Sequence, residues 1–336
     1  MTESRTESRT QSRTAAEHRT DTATTPVTRW IEQHAHRLTS LDPEAPLTDL
    51  EPLAEIVRDA KVVAMGASNR HTHELSALSH RLVRFLVEQM GFRTLALEGD
   101  EAERVGLDAY VRTGDGDPRE LLADARSFWQ TEEILDTVRW MRAFNRGRPD
   151  DPVRFAGAHP TLQGPSAIEP AGLADIERTL AESTIRWQER TADKIVYWGG
   201  IAHTAVGDPR TVSPPVPPLT HRNAGSYLRE HFGDAFVSIG QTFHHGMAPD
   251  QILPPPPEFA DSVLGDTNLD TYLLDLRAHA PEPVRTWLDT PTRTRMIGPH
   301  YDPAHNAAYY MSGGSLTDWF DAVLHVREVT AVRFLF

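Results

Sequence analysis

Two short polar clusters hold the residues of this sequence best suited to chemistry. Gly66-Ala67-Ser68-Asn69-Arg70-His71-Thr72-His73-Glu74 follows an apolar run at residues 62–65, and Glu98-Gly99-Asp100-Glu101 follows a second run at 94–97. Imidazoles move protons near neutral pH, carboxylates accept protons or hold cations, and a guanidinium binds anions without losing its charge. Both runs have the length and β-type composition of buried strands. Between them, residues 74–90 carry Leu75, Leu78, Leu82, Phe85 and Leu86 at helical spacing, with Gly91 to end the helix. A strand–helix–strand unit puts both clusters at the carboxyl edge of a parallel sheet, where such sheets keep their sites.

Other histidines fall at the same kind of place. His159, His203, His244 and His245 follow predicted strands at 153–157, 194–198 and 236–240, as His71 and His73 follow 62–65. Taken singly, each is a surface or loop histidine; taken together, they point to proton transfer or metal ligation. His71 and His73 would share a face of an extended segment, and Glu98 or His203 would complete three ligands for a divalent ion. Glu98 ends an apolar strand beside other carboxylates, which would raise its pKa and suit it to general acid or base work. Asp100 and Glu101 fit a helix N-terminus better. Trp129, Trp140, Trp187 and Trp198 either line an apolar pocket or belong to the core.

The elements that must position these groups alternate along the chain. Helices are predicted at 30–39, 47–60, 101–113, 118–125, 131–146, 171–190, 223–231 and 269–277, with a last strand at 322–326. Alternation of this kind predicts an α/β fold, a mostly parallel sheet flanked by helices. Residues 1–25 repeat a Glu/Gln-Ser-Arg-Thr pattern and read as a disordered tail, leaving 26–336 as a single domain. The formal net charge of −14 argues against nucleic acid and anionic membrane as partners. With no cysteine, disulfides, thiolate catalysis and Cys-ligated zinc are excluded. No apolar run has the length of a membrane span and no signal-peptide pattern is seen, so a cytoplasmic location is expected. Gly-x-Ser-x-Gly, phosphate-loop and dinucleotide fingerprints are all missing.

Residues 62–100, with Gly66, Thr72-His73-Glu74, His80-Arg81-Leu82 and Gly91-Phe92-Arg93-Thr94-Leu95-Ala96-Leu97-Glu98, resemble the erythromycin esterase family. The resemblance continues through Tyr110-Val111, Gly114-Asp115, Phe144-Asn145-Arg146, Val153-Arg154-Phe155, Ala202-His203, residues 225–242 and Phe320-Asp321-Ala322-Val323. It implies an erythromycin-esterase-like fold with a deep cleft at the strand ends, and ester hydrolysis by a His-activated water. The family pattern Gly-Glu-x-x-His is here Gly66-Ala67-Ser68-Asn69-Arg70, so the family's Glu has become Ala67 and its base has become Arg70. The first His of Ala-His-Asn-x-His has become Gly200, while the second persists as His203. A basic residue of the first helix is Ser79, and an Asp after the next strand is His159. Glu98 and His203 persist.

Arg70 cannot act as a base near neutral pH, and Ala67 has no proton chemistry. Arg70 could instead hold a carboxylate or an oxyanion, and His71, one position away, could replace the lost base if the loop is reshaped. Only one helix stands between 157 and 194 where the family has many, so a reduced helical cap is expected, with Pro-rich loops at 213–219 and 254–257 closing the cleft. The expected activity is cofactor-free acid–base chemistry (cyclisation, elimination or rearrangement) on a small natural product of secondary metabolism. Glu98 and His203 would handle protons, Arg70 and His71 would assist, and His73, Glu74, Asp100, His159, Trp198, His244 and His245 would contact substrate. The alternatives are ester hydrolysis with a relocated histidine base, and ligand binding or resistance without catalysis. A divalent metal is the alternative to having no cofactor.

Overall fold

The structure, a computed structural model, describes residues 25–98, 101–156, 172–214, 216–298 and 300–336. The expected tail therefore lies outside the described residues except for Thr25, as do Asp100 and His159.

The described strands are β1 (His36–Arg37), β2 (Val62–Ala67), β3 (Thr94–Leu97), β4 (Arg154–Phe155), β5 (Ile195–Gly200), β6 (Arg210–Ser213), β7 (Leu219–His221), β8 (Phe236–Met247), β9 (Gln251–Ile252), β10 (Thr271–Asp275), β11 (Thr294–Arg295), β12 (Tyr310–Ser312) and β13 (Ala322–Thr330). The main sheet runs β1-β10-β13-β8-β2-β5-β3-β4, with β9 paired to β8. From β13 to β4 every neighbouring pair is parallel, and β1 and β10 add an antiparallel margin. Helices cover both faces, and the pleat explains why. Val63, Met65, Leu95, Leu97, Val196, Trp198, Val237 and Ile239 pack in one core with helices His73–Met90 and Glu132–Arg146. Their strand neighbours Val62, Ala64, Ala96, Ile195, Tyr197 and Phe236 pack against helices Leu173–Thr191 and Ala224–Phe232. A strand buried on both faces reads as a continuous apolar run, which is why β2, β3 and β5 were visible in the sequence.

The site edge is set by the register. Ala67 lies level with Gly200 of β5 and with Gln241 of β8. A short helix, Ile201–Thr204, springs from β5 and lies on the backbone of β2. A Cβ at Gly66 would sit 1.9 Å from Thr204 Oγ1 and 2.8 Å from Ile201 Cα, so only glycine admits this approach. Gly91 ends helix His73–Met90 in the left-handed conformation, at φ 74°.

Several expectations change. Residues 269–277 contain strand β10 rather than a helix, with Leu273 in one core and Tyr272 and Leu274 in the other. Gly106, at φ 83°, splits 101–113 into helices Glu101–Arg104 and Leu107–Thr113. The first helix is Pro26–His34, followed by β1. β8 runs on to Met247, so His244 and His245 lie within a strand and not after one. An unforeseen antiparallel sheet, β11-β12-β6-β7, places the 213–219 segment in the connection between two of its strands. The 254–257 segment is anchored at its start, where Asn306 Nδ2 donates to the Pro254 carbonyl at 2.8 Å.

Candidate active site

At the carboxyl edge of β2, β3 and β5, four charged side chains form one chain of contacts. The Arg70 guanidinium, on the loop after β2, is ion-paired with Glu98 Oε2 just past β3. The other oxygen, Glu98 Oε1, lies 3.2 Å from Nε2 of His203 on the short helix after β5. His203 Nδ1 is 2.7 Å from Oε1 of Glu177, which comes from helix Leu173–Thr191. Backbone N–H groups complete both carboxylates: Gly200 donates to Glu98 Oε2 at 3.1 Å, and Ala224 donates to Glu177 Oε2 at 2.9 Å. His221 Nε2 approaches Glu177 Oε1 at 3.4 Å.

Charge follows from these contacts. Burial pushes the Glu98 carboxyl upward, but Arg70, His203 and the Gly200 N–H outweigh it and hold it below its ordinary value. The expectation of a raised Glu98 is thereby corrected: its nearest partners are cations, not carboxylates. Glu177 is also driven upward by burial, yet the contacts to His203, His221 and Ala224 bring it down to about 2. Burial pulls His203 downward, and the two flanking carboxylates reverse this, so its pKa is raised. With a carboxylate oxygen facing each ring nitrogen, the surroundings of His203 favour its protonated form and suit it to donate a proton. Side-chain exposure is 20% for both Arg70 and His203, 6% for Glu98 and nil for Glu177. The edge therefore shows solvent a guanidinium and an imidazole, each backed by buried carboxylates, an arrangement suited to gripping an anion.

Arg70 is held from the side as well. Its guanidinium lies 4.3 Å from the Phe128 ring centroid and 5.9 Å from that of Trp129, and Trp129 meets Trp198 edge-on at 6.2 Å. Behind it, Ala67, Ser76, Ser79, Trp129 and Trp198 help to line a chamber of about 10 Å³, room for about one water molecule. A Cβ built on Gly200 would come within 2.7 Å of Arg70 Nη2. The guanidinium of residue 70 thus fills the space a side chain at position 200 would need, which couples the two positions sterically.

The remaining sequence candidates separate. Trp198 joins the cluster. His71 turns aside, 5.5 Å edge-on to Phe334; burial, Arg70 and His300 lower its pKa. His73 bonds Glu133 at 2.7 Å, and this contact raises its pKa. Having diverged, His71 and His73 do not form the expected metal pair, and among the described residues no group of three or more His, Asp or Glu could hold a metal ion. Glu74 accepts from the Thr330 N–H at 2.6 Å and from its hydroxyl at 2.7 Å and so clamps β13, outside the Arg70–Glu98–His203 cluster. His244 and His245 pair with each other at 2.9 Å outside the Arg70–Glu98–His203 cluster, with burial and His245 bringing His244 to about 4.

Glu177 and His221 escaped the sequence reading. The signal for Glu177 was present: it shares the buried stripe of its helix with Leu180, Ala181, Thr184 and Gln188, an unusual place for a carboxylate without a partner.

Comparison with known proteins agrees with this architecture. The family model described as erythromycin esterase matches residues 87–171 and 158–329. Erythromycin esterase type II from Escherichia coli is 33% identical over 115 residues, which are 34% of this chain and 27% of that enzyme. The chain matches little more than a quarter of the length of its curated relatives. A Bacillus cereus protein of known structure superposes with a TM-score of 0.76 at 20% identity, covering 92% of this chain and 98% of the other. A mutant of the erythromycin esterase EreC, in its open conformation, superposes with a TM-score of 0.60 at 14% identity, covering 87% and 96%. At such identities the two structures speak for the fold, a helix-flanked and largely parallel sheet. Among the described residues no helix is long and apolar enough to cross a membrane. By its sequence match across residues 87–329, this chain belongs to the erythromycin esterase family.

Proposed function

We propose that this protein is an enzyme that keeps the scaffold of a hydrolase family and carries out cofactor-free acid–base chemistry, a cyclisation, elimination or rearrangement, on a small natural product of secondary metabolism. One observation supports the reading: Arg70 stands in the volume of a side chain at 200 and is ion-paired with Glu98, and by the resemblance a permanent cation then stands where the family pattern has its base. An anionic or enolisable group of the substrate would bind to Arg70. As Arg70 turns toward it, Glu98 loses its strongest stabilising partner, becomes more basic and takes a proton from substrate. His203, supported by Glu177, returns a proton from Nε2 at the position where negative charge develops. The substrate lies outside the small chamber, on the Arg70 and His203 side, because about 10 Å³ admits no organic molecule.

Product analysis by mass spectrometry with candidate polyketide and macrolide substrates tests the reading. Turnover without ester cleavage, lost in both E98Q and H203N, is expected. Stoichiometric binding with no chemical change would overturn it and leave a binding or resistance protein. A second reading rests on His71, one position from Arg70, where burial and the neighbouring Arg70 charge lower its pKa and favour the proton-accepting form of the ring. Hydrolysis of simple aryl esters abolished in H71N but retained in E98Q would establish a relocated base.

A further inference from the structure

A groove of about 1180 Å³ opens among helices His73–Met90, Leu107–Thr113 and Glu132–Arg146, and it shares no lining residue with the chamber beside Arg70. Arg139, Arg142 and Arg146 stand at spacings of three and four along one helix, which makes a single stripe about 10 Å long. Arg84 and Arg333 face the groove from other segments. Against these five guanidiniums the lining carries three carboxylates, those of Asp42, Glu44 and Asp136, so the groove is net positive in a chain of formal net charge −14. Some of the arginines are already engaged: Arg84 bonds Glu88, and Arg142 caps the Arg112 and Thr113 carbonyls. Arg139 reaches Asp136 only at 3.9 Å, and the exposed Arg146 has no hydrogen bond or ion pair among the described residues.

A second observation is independent of charge. His80 lines the groove, is 4% exposed, and neither ring nitrogen has a hydrogen-bond partner. Buried polar groups are nearly always bonded. Burial, with help from Arg84, holds His80 at about 3, so the neutral ring offers one donor and one acceptor. Trp140 meets it edge-on at 5.8 Å, and Tyr110 adds another flat surface.

We propose that this groove is a second ligand site, separate from the Arg70–Glu98–His203 cluster, for a planar organic polyanion of the nucleoside polyphosphate class. Its anionic groups lie along the arginine stripe, its ring packs on Trp140 and Tyr110, and a ring or sugar heteroatom bonds His80. Calorimetric titration of the full chain with ATP, with inorganic tripolyphosphate and with adenosine at low ionic strength tests this. ATP should bind one to one, and tripolyphosphate roughly tenfold more weakly for want of the stacking surface. In R139Q/R146Q, whose altered side chains are exposed, ATP affinity should fall about tenfold. In H80L, affinity should fall several-fold while the ligand-free melting temperature holds or rises, because two unbonded buried nitrogens are removed. A purely structural His80 would show the reverse. No saturable binding of ATP at millimolar concentration, more than one equivalent bound, or unchanged affinity in R139Q/R146Q would each overturn the proposal.

Discussion

Gly200 offers a sharp test of the linked positions 70 and 200. Its backbone sits at φ −83° and ψ 154°, open to any residue, so the backbone does not demand glycine. Space is what is tight: an added Cβ would lie 2.7 Å from Arg70 Nη2 and 3.3 Å from Nε and Cζ, so the guanidinium end would have to move. In G200A the guanidinium end must shift, which weakens its pairing with Glu98, while Glu98 keeps His203 at 3.2 Å, the residue-200 N–H at 3.1 Å and the charge of Arg126. Removing one partner from a buried ion pair costs about 3–5 kcal/mol. Because Arg70 is part-exposed and flexible and Glu98 retains His203, the residue-200 N–H and Arg126, G200A should cost about 1–2 kcal/mol. R70M should cost about 3 kcal/mol, and G200A introduced into R70M should add less than about 0.5 kcal/mol, since nothing remains to clash. Urea denaturation of the four proteins gives the coupling energy. An equal cost of G200A in both backgrounds, or no cost in the wild type, would refute the steric link.

Other outcomes follow from the same network. Glu177, lowered to about 2, contributes stability that is present above its unfolded value of 4.5 and lost as pH falls toward 2. His203, raised from 6.5, contributes stability that is full below 6.5 and lost as pH climbs through its folded value. Thermal melts across pH should therefore show the network's stabilisation greatest between these two ordinary values. E177Q should flatten both flanks and cost about 2–4 kcal/mol, because His203 loses its closest anion. E74A should cost about 1–2 kcal/mol by freeing the Thr330 N–H and hydroxyl, and hydrogen exchange at the Thr330 amide should quicken.

The parallel centre of the sheet was legible because β2, β3 and β5 are apolar on both faces, leaving a signal that needs no knowledge of neighbours. β10 was not. Leu269, Leu273 and Leu276 fall at helical spacing, but pairing with β1 and β13 imposes a two-residue alternation that sends Leu273 one way and Tyr272 and Leu274 the other. The second sheet has strands of two to four residues, too short for any period to register. In the candidate site, Glu98, His203, Arg70 and Trp198 come together because each lies at or just past a legible strand end. Glu177 is not legible because its partner His203 comes from a different element, and the histidines at 71, 73, 244 and 245 point to partners outside the Arg70–Glu98–His203 cluster. Strand ends share an edge, but side-chain direction at that edge depends on the path of each loop: His73 is drawn to Glu133, and His244 to His245.

The protonation of His203 is the most direct measurement of whether the edge of this sheet is a cationic clamp or a hydrolytic centre. ¹⁵N NMR of imidazole-labelled protein should show both His203 nitrogens protonated at pH 7, with titration above 6.5 and a collapse of that shift in E177Q. A neutral His203 at pH 7, with one nitrogen free to accept a proton, would contradict the imidazolium held between Glu98 and Glu177 and the chemistry built on it.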